Sequence, residues 1–192
     1  LSDDGFPTYG NADRSVHRGI ELTGAYDFNR TLRVEGNYAL NDNWIRKYVQ
    51  KVYDWNSETT TTVEHRNVPV PNFPQYLANF VIDYHPAQYD VSYRLRVAGR
   101  QLPYLSGQNY YLNGQMQDVS VAPATISSLK ASVTLGKVFG SALLTLETRV
   151  DNLFNQKYET AGAYSADSYG ENYYYWYAAE RNWYVNVKLA IM

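Results

Sequence analysis

The chain has 192 residues, a formal net charge of −2 and no cysteine. The length allows one domain with a sizeable core, and the near-neutral charge gives no basis for broad nucleic-acid affinity. The lack of thiols excludes a disulfide staple, a thiol nucleophile and a zinc–thiolate site, and His17, His65 and His85 lie far apart without ligand spacing.

The unusual feature is 20 tyrosines within an aromatic content of 16%, far above ordinary globular usage. Mean hydropathy is nevertheless −0.48, and no apolar run approaches the ~20 residues that a membrane helix needs. The start, Leu1-Ser2-Asp3-Asp4-Gly5, reads as a polar turn and not as a signal peptide. Asp3-Asp4-Gly5 lacks the further carboxylates of a calcium loop.

Period-two alternation dominates, and helical periodicity is almost absent. Ile20, Leu22, Tyr26 and Phe28 share one face against Glu21, Thr23 and Asp27. Asn29-Arg30 then turns the chain, and Leu32, Val34, Tyr38 and Leu40 resume the apolar face against Arg33, Glu35 and Asn37. This is a hairpin with one apolar and one polar side. From Asp42 to Pro74 the composition predicts a long loop, rich in Thr, Asn and charge and punctuated by Pro69, Pro71 and Pro74.

A second hairpin starts near Gln75, with Tyr76, Ala78, Phe80, Ile82 and Tyr84 on the apolar face and Leu77 and Val81 as apolar exceptions on the other. His85-Pro86-Ala87-Gln88 turns it, and Tyr89, Val91, Tyr93, Leu95 and Val97 then oppose Asp90, Ser92, Arg94, Arg96 and Arg100. A second long loop is expected from Gln101 to Thr125. The third hairpin places Leu129, Ala131, Val133 and Leu135 on its apolar face; Ile126 is out of phase, which predicts a late start or a bulge. Gly136 to Gly140 is the predicted turn, and Leu144, Leu146, Thr148 and Val150 return opposite Glu147, Arg149 and Asp151. A third long loop, 155–180, carries the densest aromatics, and a last strand sets Trp183, Val185, Val187, Leu189 and Ile191 on one face.

Connections therefore alternate short and long. Soluble sandwiches have mixed turns at both ends, whereas membrane β-barrels have short turns on the periplasmic side and long loops outside. Strands of ~9–11 residues suffice to cross. Tyr26, Phe28, Tyr84, Tyr89 and Phe139 gather at the short-turn end, and Tyr76, Phe154 and Trp183 at the other. Two such belts are expected where amphipathic rings settle at both headgroup levels. General strand preference explains aromatic enrichment but not this segregation. Seven strands do not close a barrel, since bacterial single-chain barrels have even numbers and an open edge in lipid leaves unpaired amides. The fold class expected is thus all-β, the carboxy-terminal part of a larger transmembrane antiparallel β-barrel.

Four stretches, in order and spanning most of the chain, carry a family resemblance. The stretch "VDNLFNQKYETAG" (Val150 to Gly162) resembles the penultimate-strand motif of TonB-dependent outer-membrane receptors. "HRGIELTGAYDFNRTLRVEGNYALND" (His17 to Asp42) is similar to their Gly-Val/Ile-Glu-Leu hairpin. "RNVPVPNFPQYLANFVIDYHP" (Arg66 to Pro86) resembles their Arg-x-Pro-x-x-Pro loop, and "RNWYVNVKLAIM" (Arg181 to Met192) their final strand. One departure is the end: the family usually finishes on Phe, read during assembly, whereas here Ile191 holds that phase and Met192 follows.

The resemblance implies the last seven strands of a 22-stranded barrel in the bacterial outer membrane, plugged by an amino-terminal domain that is not among these residues. It implies import of scarce, bulky ligands, most commonly ferric siderophores, powered through the plug by TonB with ExbB and ExbD. Outer-membrane lipid is the other expected partner, and no resident cofactor or metal is expected. Asn152-Leu153-Phe154-Asn155 reads as a structural element, its Asn side chains satisfying local backbone groups as the strand turns into the last loop.

Candidate ligand contacts are the loop aromatics Tyr104, Tyr110 and Tyr111, then Tyr164, Tyr169 and Tyr173, then Tyr174, Tyr175, Trp176 and Tyr177. Tyr and Trp give rigid amphipathic contact area with few torsions to freeze; the bland alternative is that these rings pack the loops against one another. Arg94, Arg96, Arg100 and Arg149 line the polar face and suit an anionic ferric chelate, or else pair with Glu35, Glu147 and Asp151 or with the plug. Competing readings are a cobalamin or oligosaccharide receptor of the same family and a complete eight-stranded barrel with a structural or adhesive role. The inward Arg, Glu and Asp crowd so narrow an interior. No nucleophile–base–orienter set supports an enzyme, including a barrel-rim protease or lipase.

Overall fold

A computed structural model describes residues 12–54, 57–103, 111–112, 115–116, 120–138, 142–167 and 170–191. Twelve strands and no helix occur among them: β1 (Arg14–Asp27), β2 (Leu32–Asp54), β3 (Thr59–Pro69), β4 (Tyr76–Tyr84), β5 (Tyr89–Ala98), β6 (Tyr111–Leu112), β7 (Gln115–Met116), β8 (Ala124–Val138), β9 (Ala142–Asp151), β10 (Glu159–Asp167), β11 (Gly170–Tyr177) and β12 (Asn182–Ile191). The main sheet runs β1-β2-β4-β5-β8-β9-β12, antiparallel at every step, with β3 added beside the far half of β2. These are the seven alternating strands expected from sequence. β1 and β12 stand at opposite edges, so the sheet is open.

Alternation sorts the side chains as predicted. Leu22, Val34, Ile82, Leu95, Leu146 and Val187 fall on one face through the registers Leu22↔Tyr38, Val34↔Ile82, Ile82↔Tyr93 and Leu146↔Val187. That face is bare: Val187 is 67%, Trp183 69% and Ile191 81% exposed. Among the described residues the buried hydrophobic side chains are Val68, Val121, Ala124, Ala142 and Val150, hardly a core. A contiguous apolar face of this extent is far beyond what a soluble monomer tolerates, and covering it with lipid removes about 1.5–3 kcal/mol of unfavourable exposure per large side chain.

The short-turn end is locally fixed. Asn29 Oδ1 accepts hydrogen bonds from Thr31 N at 2.8 Å, Thr31 Oγ1 at 2.8 Å and Leu32 N at 2.9 Å. Tyr26 and Phe28 meet edge to face there, with ring centroids 4.9 Å apart.

Three expectations are corrected. The stretch 42–74 is not a loop throughout: β2 continues to Asp54 and β3 returns from Thr59, paired from Asp54↔Thr59 to Trp44↔Pro69. The run Thr59 to Val63 is β-branched and suits a strand, and Pro69 ends it instead of breaking it. The stretch 155–180 likewise contains the hairpin β10–β11, paired from Glu159↔Tyr177 to Asp167↔Gly170. Third, β8 is regular at Ile126, which faces Arg96 on the polar side. The bulge lies at the other end, between Thr134 and Gly136, where Gly136 takes φ +101°. This positive φ suits glycine and lets β8 run on to Val138; residues 139–141 of the expected turn, with Phe139, lie outside the described residues.

Candidate ligand-binding site

The polar face carries a cavity of about 620 Å³ near the long-loop end. β4 contributes Leu77 and Asn79, β5 contributes Arg94 and Arg96, and β8 contributes Ile126 and Ser128. Asp151 and Asn152 at the end of β9, Tyr158 and Ala179 at the foot of the β10–β11 hairpin, and Asn182 and Tyr184 of β12 close the other side. Leu77 and Ile126, two of the three phase exceptions, thus give this polar cradle a small apolar floor.

The four arginines expected to act together do not converge. Arg94 and Arg96, two apart on β5, share the cavity, and among the described residues neither has an acidic partner. Arg149 is neutralised: its Nη2 lies 2.9 Å from Asp151 Oδ2, and its guanidinium sits 4.5 Å over the Tyr184 ring. Arg100 lies beyond the end of β5, beside a separate small cavity with Pro69, Phe73 and Leu102. Of the acidic residues weighed as partners, Glu147 binds Lys130 at 3.0 Å and Lys188 at 3.2 Å, and Glu35 sits 3.5 Å from Arg33. Among the described residues, the site's cations without an acidic partner are therefore Arg94 and Arg96.

The wall formed by Asn152 is built from an unusual local conformation. Asn152 and Asn155 both take φ +53°, which asparagine tolerates better than most side chains. Asn152 Nδ2 donates to Gln156 O at 2.8 Å and Ala179 O at 3.3 Å, and its Oδ1 accepts from Gln156 N at 2.9 Å. Asn155 Oδ1 accepts from Arg181 N at 2.8 Å, and Leu153 N donates to Ser127 O at 2.8 Å. The Asn-Leu-Phe-Asn motif therefore does satisfy backbone groups around the strand end, as expected, and it reaches across to the far leg of the last hairpin.

That hairpin holds the aromatics. Trp176, Tyr175 and Tyr174 on β11 are the register partners of Ala161, Gly162 and Ala163 on β10. A Cβ at Gly162 would lie 3.0 Å from Pro103 Cβ and 3.4 Å from Tyr175 Cε1, so glycine is what allows this close approach. Tyr175 is half-buried, whereas Tyr174, Trp176 and Tyr177 are exposed. Tyr164 and Tyr173 pair across the two strands, and Tyr111 opens β6. Tyr104, Tyr110 and Tyr169 lie outside the described residues.

Sequence reasoning missed Asn79, Ser128, Tyr158, Asn182 and Tyr184 as cavity residues. Tyr184 carried a usable signal, since it is an aromatic in the polar phase of β12, between Asn182 and Asn186.

The family model described as "TonB dependent receptor-like, beta-barrel" matches residues 1–153. The chain belongs to the TonB-dependent receptors. No curated protein sequence matches it. Among solved structures, a siderophore receptor, PiuA, from Acinetobacter baumannii is similar over 90% of this chain and 21% of its own, with TM-score 0.64 and 18% identity. A mutant of the ferric enterobactin receptor PfeA from Pseudomonas aeruginosa is similar over 92% of this chain and 22% of its own, with TM-score 0.58 and 19% identity. The chain spans about a fifth of the length of these receptors. TonB-dependent receptors are transporters of the Gram-negative outer membrane rather than enzymes. The antiparallel sheet, apolar on one face and polar on the other, matches the barrel of this family.

Proposed function

We propose that the chain forms the carboxy-terminal strands of a plugged, 22-stranded outer-membrane receptor that imports a ferric siderophore, driven through the plug by TonB, ExbB and ExbD. The observation that carries the cargo class is the pair Arg94 and Arg96, without an acidic partner among the described residues, on the polar face at the foot of an aromatic hairpin. Exposed rings of Tyr174, Trp176 and Tyr177 gather a bulky, flat-faced ligand at the mouth. The two guanidiniums then attract its negative charge and offer forked donors to its oxygens. The receptor names attached to PiuA and PfeA support this reading at the level of fold.

The test is uptake of ⁵⁵Fe-labelled ferric enterobactin and a set of other ferric chelates by cells expressing the full-length receptor. Uptake of at least one chelate should require TonB, and binding should weaken as salt rises. Arg94→Ala with Arg96→Ala should raise the half-saturating concentration by about tenfold, the loss of roughly one charge-assisted hydrogen bond. No TonB-dependent uptake of any chelate would refute the cargo class.

A second reading, import of cobalamin or an oligosaccharide, is favoured by one observation. Between Tyr158 and Glu180 the hairpin has no Lys, Arg or His but carries Glu159, Asp167, Glu171 and Glu180, which suits a neutral cargo at the mouth. Salt-insensitive binding would select it. A self-closing eight-stranded barrel would have to join β1 to β12, which the sheet order keeps at opposite edges.

A further inference from the structure

Among the described residues the β10–β11 hairpin is a two-stranded sheet of its own, with no ladder to the main sheet. Its legs, 156–158 and 178–181, are held by a few discrete bonds. Ala178 N donates to Tyr158 O at 2.9 Å, which closes the hairpin's own base. The Lys157–Glu180 contact at 3.8 Å is exposed at both ends and contributes little. What ties the legs to β9 is the pair of asparagine side chains: Asn152 to Gln156 on the near leg and to Ala179 on the far leg, and Asn155 to Arg181. Asn152 is 4% exposed, so its amide has no ready exchange with water. Leu153 N anchors the same turn to Ser127 of β8.

We infer that Asn152 and Asn155 are positioning residues: they fix the stance of the aromatic hairpin over the Arg94–Arg96 cavity. Asn152 is itself a wall of that cavity, together with Tyr158 and Ala179 of the two legs, so the pivot of the hairpin and the charged pocket are one piece of structure. The link from this stance to ligand capture rests on the function proposed above; the stance itself does not.

Trypsin provides the probe, because Lys157 and Arg181 flank the hairpin and no Lys or Arg lies between them. The experiment uses the full-length receptor assembled in outer membranes. Asn152→Gly keeps access to positive φ but deletes the side chain, so the turn survives and the clamp does not. Cleavage after both Lys157 and Arg181 should accelerate about tenfold, while Asn152→Asp, which keeps the acceptor for Gln156 N but loses both donations, should fall between. Asn155→Gly should accelerate cleavage after Arg181 alone. Wild-type cleavage rates in Asn152→Gly would overturn the inference. If that variant fails to assemble, Asn155→Gly decides: unchanged cleavage after Arg181 overturns it, and selective cleavage there upholds it. Ferric enterobactin uptake is read in parallel, with a raised half-saturating concentration and an unchanged maximal rate expected of a displaced gathering surface. Faster proteolysis with unaltered uptake of every chelate would leave the clamp standing and remove the hairpin from the ligand path.

Discussion

Replacing Val187 by arginine tests which face of the sheet meets lipid. From Trp183 to Ile191, β12 rises about 26 Å at ~3.3 Å per residue and, tilted ~40°, crosses about 20 Å of bilayer depth. Val187 is central on that stretch, paired with Leu146 and 67% exposed on the apolar face. An arginine on the lipid face at the bilayer midplane costs about 2–4 kcal/mol, a factor of roughly 30 to 700 in the folding equilibrium. Asn186→Arg is the control, one residue away on the polar face opposite Glu147. Both variants of the full-length receptor would be folded into lipid vesicles and titrated with guanidinium, following the tryptophan emission. Val187→Arg should lose stability in the stated range, and Asn186→Arg should stay within about 0.5 kcal/mol of wild type, as is usual for substitutions facing solvent. Equal losses, or a cheap Val187→Arg, would refute the assignment of faces.

Two further outcomes follow from the geometry. Glu147, 19% exposed, binds Lys130 and Lys188 and so joins β8, β9 and β12 on the polar face; Glu147→Gln should lower the guanidinium midpoint in the same titration, and adding Lys130→Met should recover part of it. No recovery would show that the ammonium pair left behind is not the cause. His65, buried on the β3 hairpin, has its Nε2 2.9 Å from Gln50 Oε1 and its ring stacked on Tyr48 at 6.1 Å. Burial lowers its pKa below the ordinary histidine value, because the charged form loses hydration. The unfolded hairpin then takes up a proton more readily than the folded one. His65's contribution is therefore complete above the usual value of ~6.5 and declines as pH falls toward the lowered folded value. Amide exchange across Val63 to Val68, corrected for intrinsic rates, should show less protection at acid pH, and His65→Gln should remove that dependence. Flat protection in the wild type would contradict it.

Much of the architecture was legible because a strand with one apolar and one polar face writes a period of two, and each of the seven main-sheet strands did so. The β2–β3 and β10–β11 hairpins were not, for separable reasons. In β3 the run from Thr59 to Val63 resembles loop composition, yet its β-branched side chains suit a strand. In β11 the sequence Tyr173-Tyr174-Tyr175-Trp176-Tyr177 puts rings on both faces, so no alternation is visible. At the site, the phase of Arg94 and Arg96 was readable, and so was the spacing of Arg149 and Asp151 that lets them pair within one strand face. Arg100 was not separable from the pair in sequence: beyond Ala98 the chain stays bonded beside β4, Gly99 N to Tyr76 O at 2.8 Å and Gln75 N to Arg100 O at 3.3 Å, yet Arg100 borders the other cavity, with Pro69 and Phe73. The reach of Asn152 to Ala179, across 27 positions, is a tertiary contact that no local pattern records.

The central claim is that these strands are one arc of a larger plugged barrel, and the mass of the polypeptide that carries them in its native outer membrane tests it most directly. The account predicts an intact mass several times the 22.0 kDa of this chain, since the chain spans only about a fifth of the receptors it resembles. A mature product of 22.0 kDa that inserts by itself, with β1 paired to β12, would contradict it.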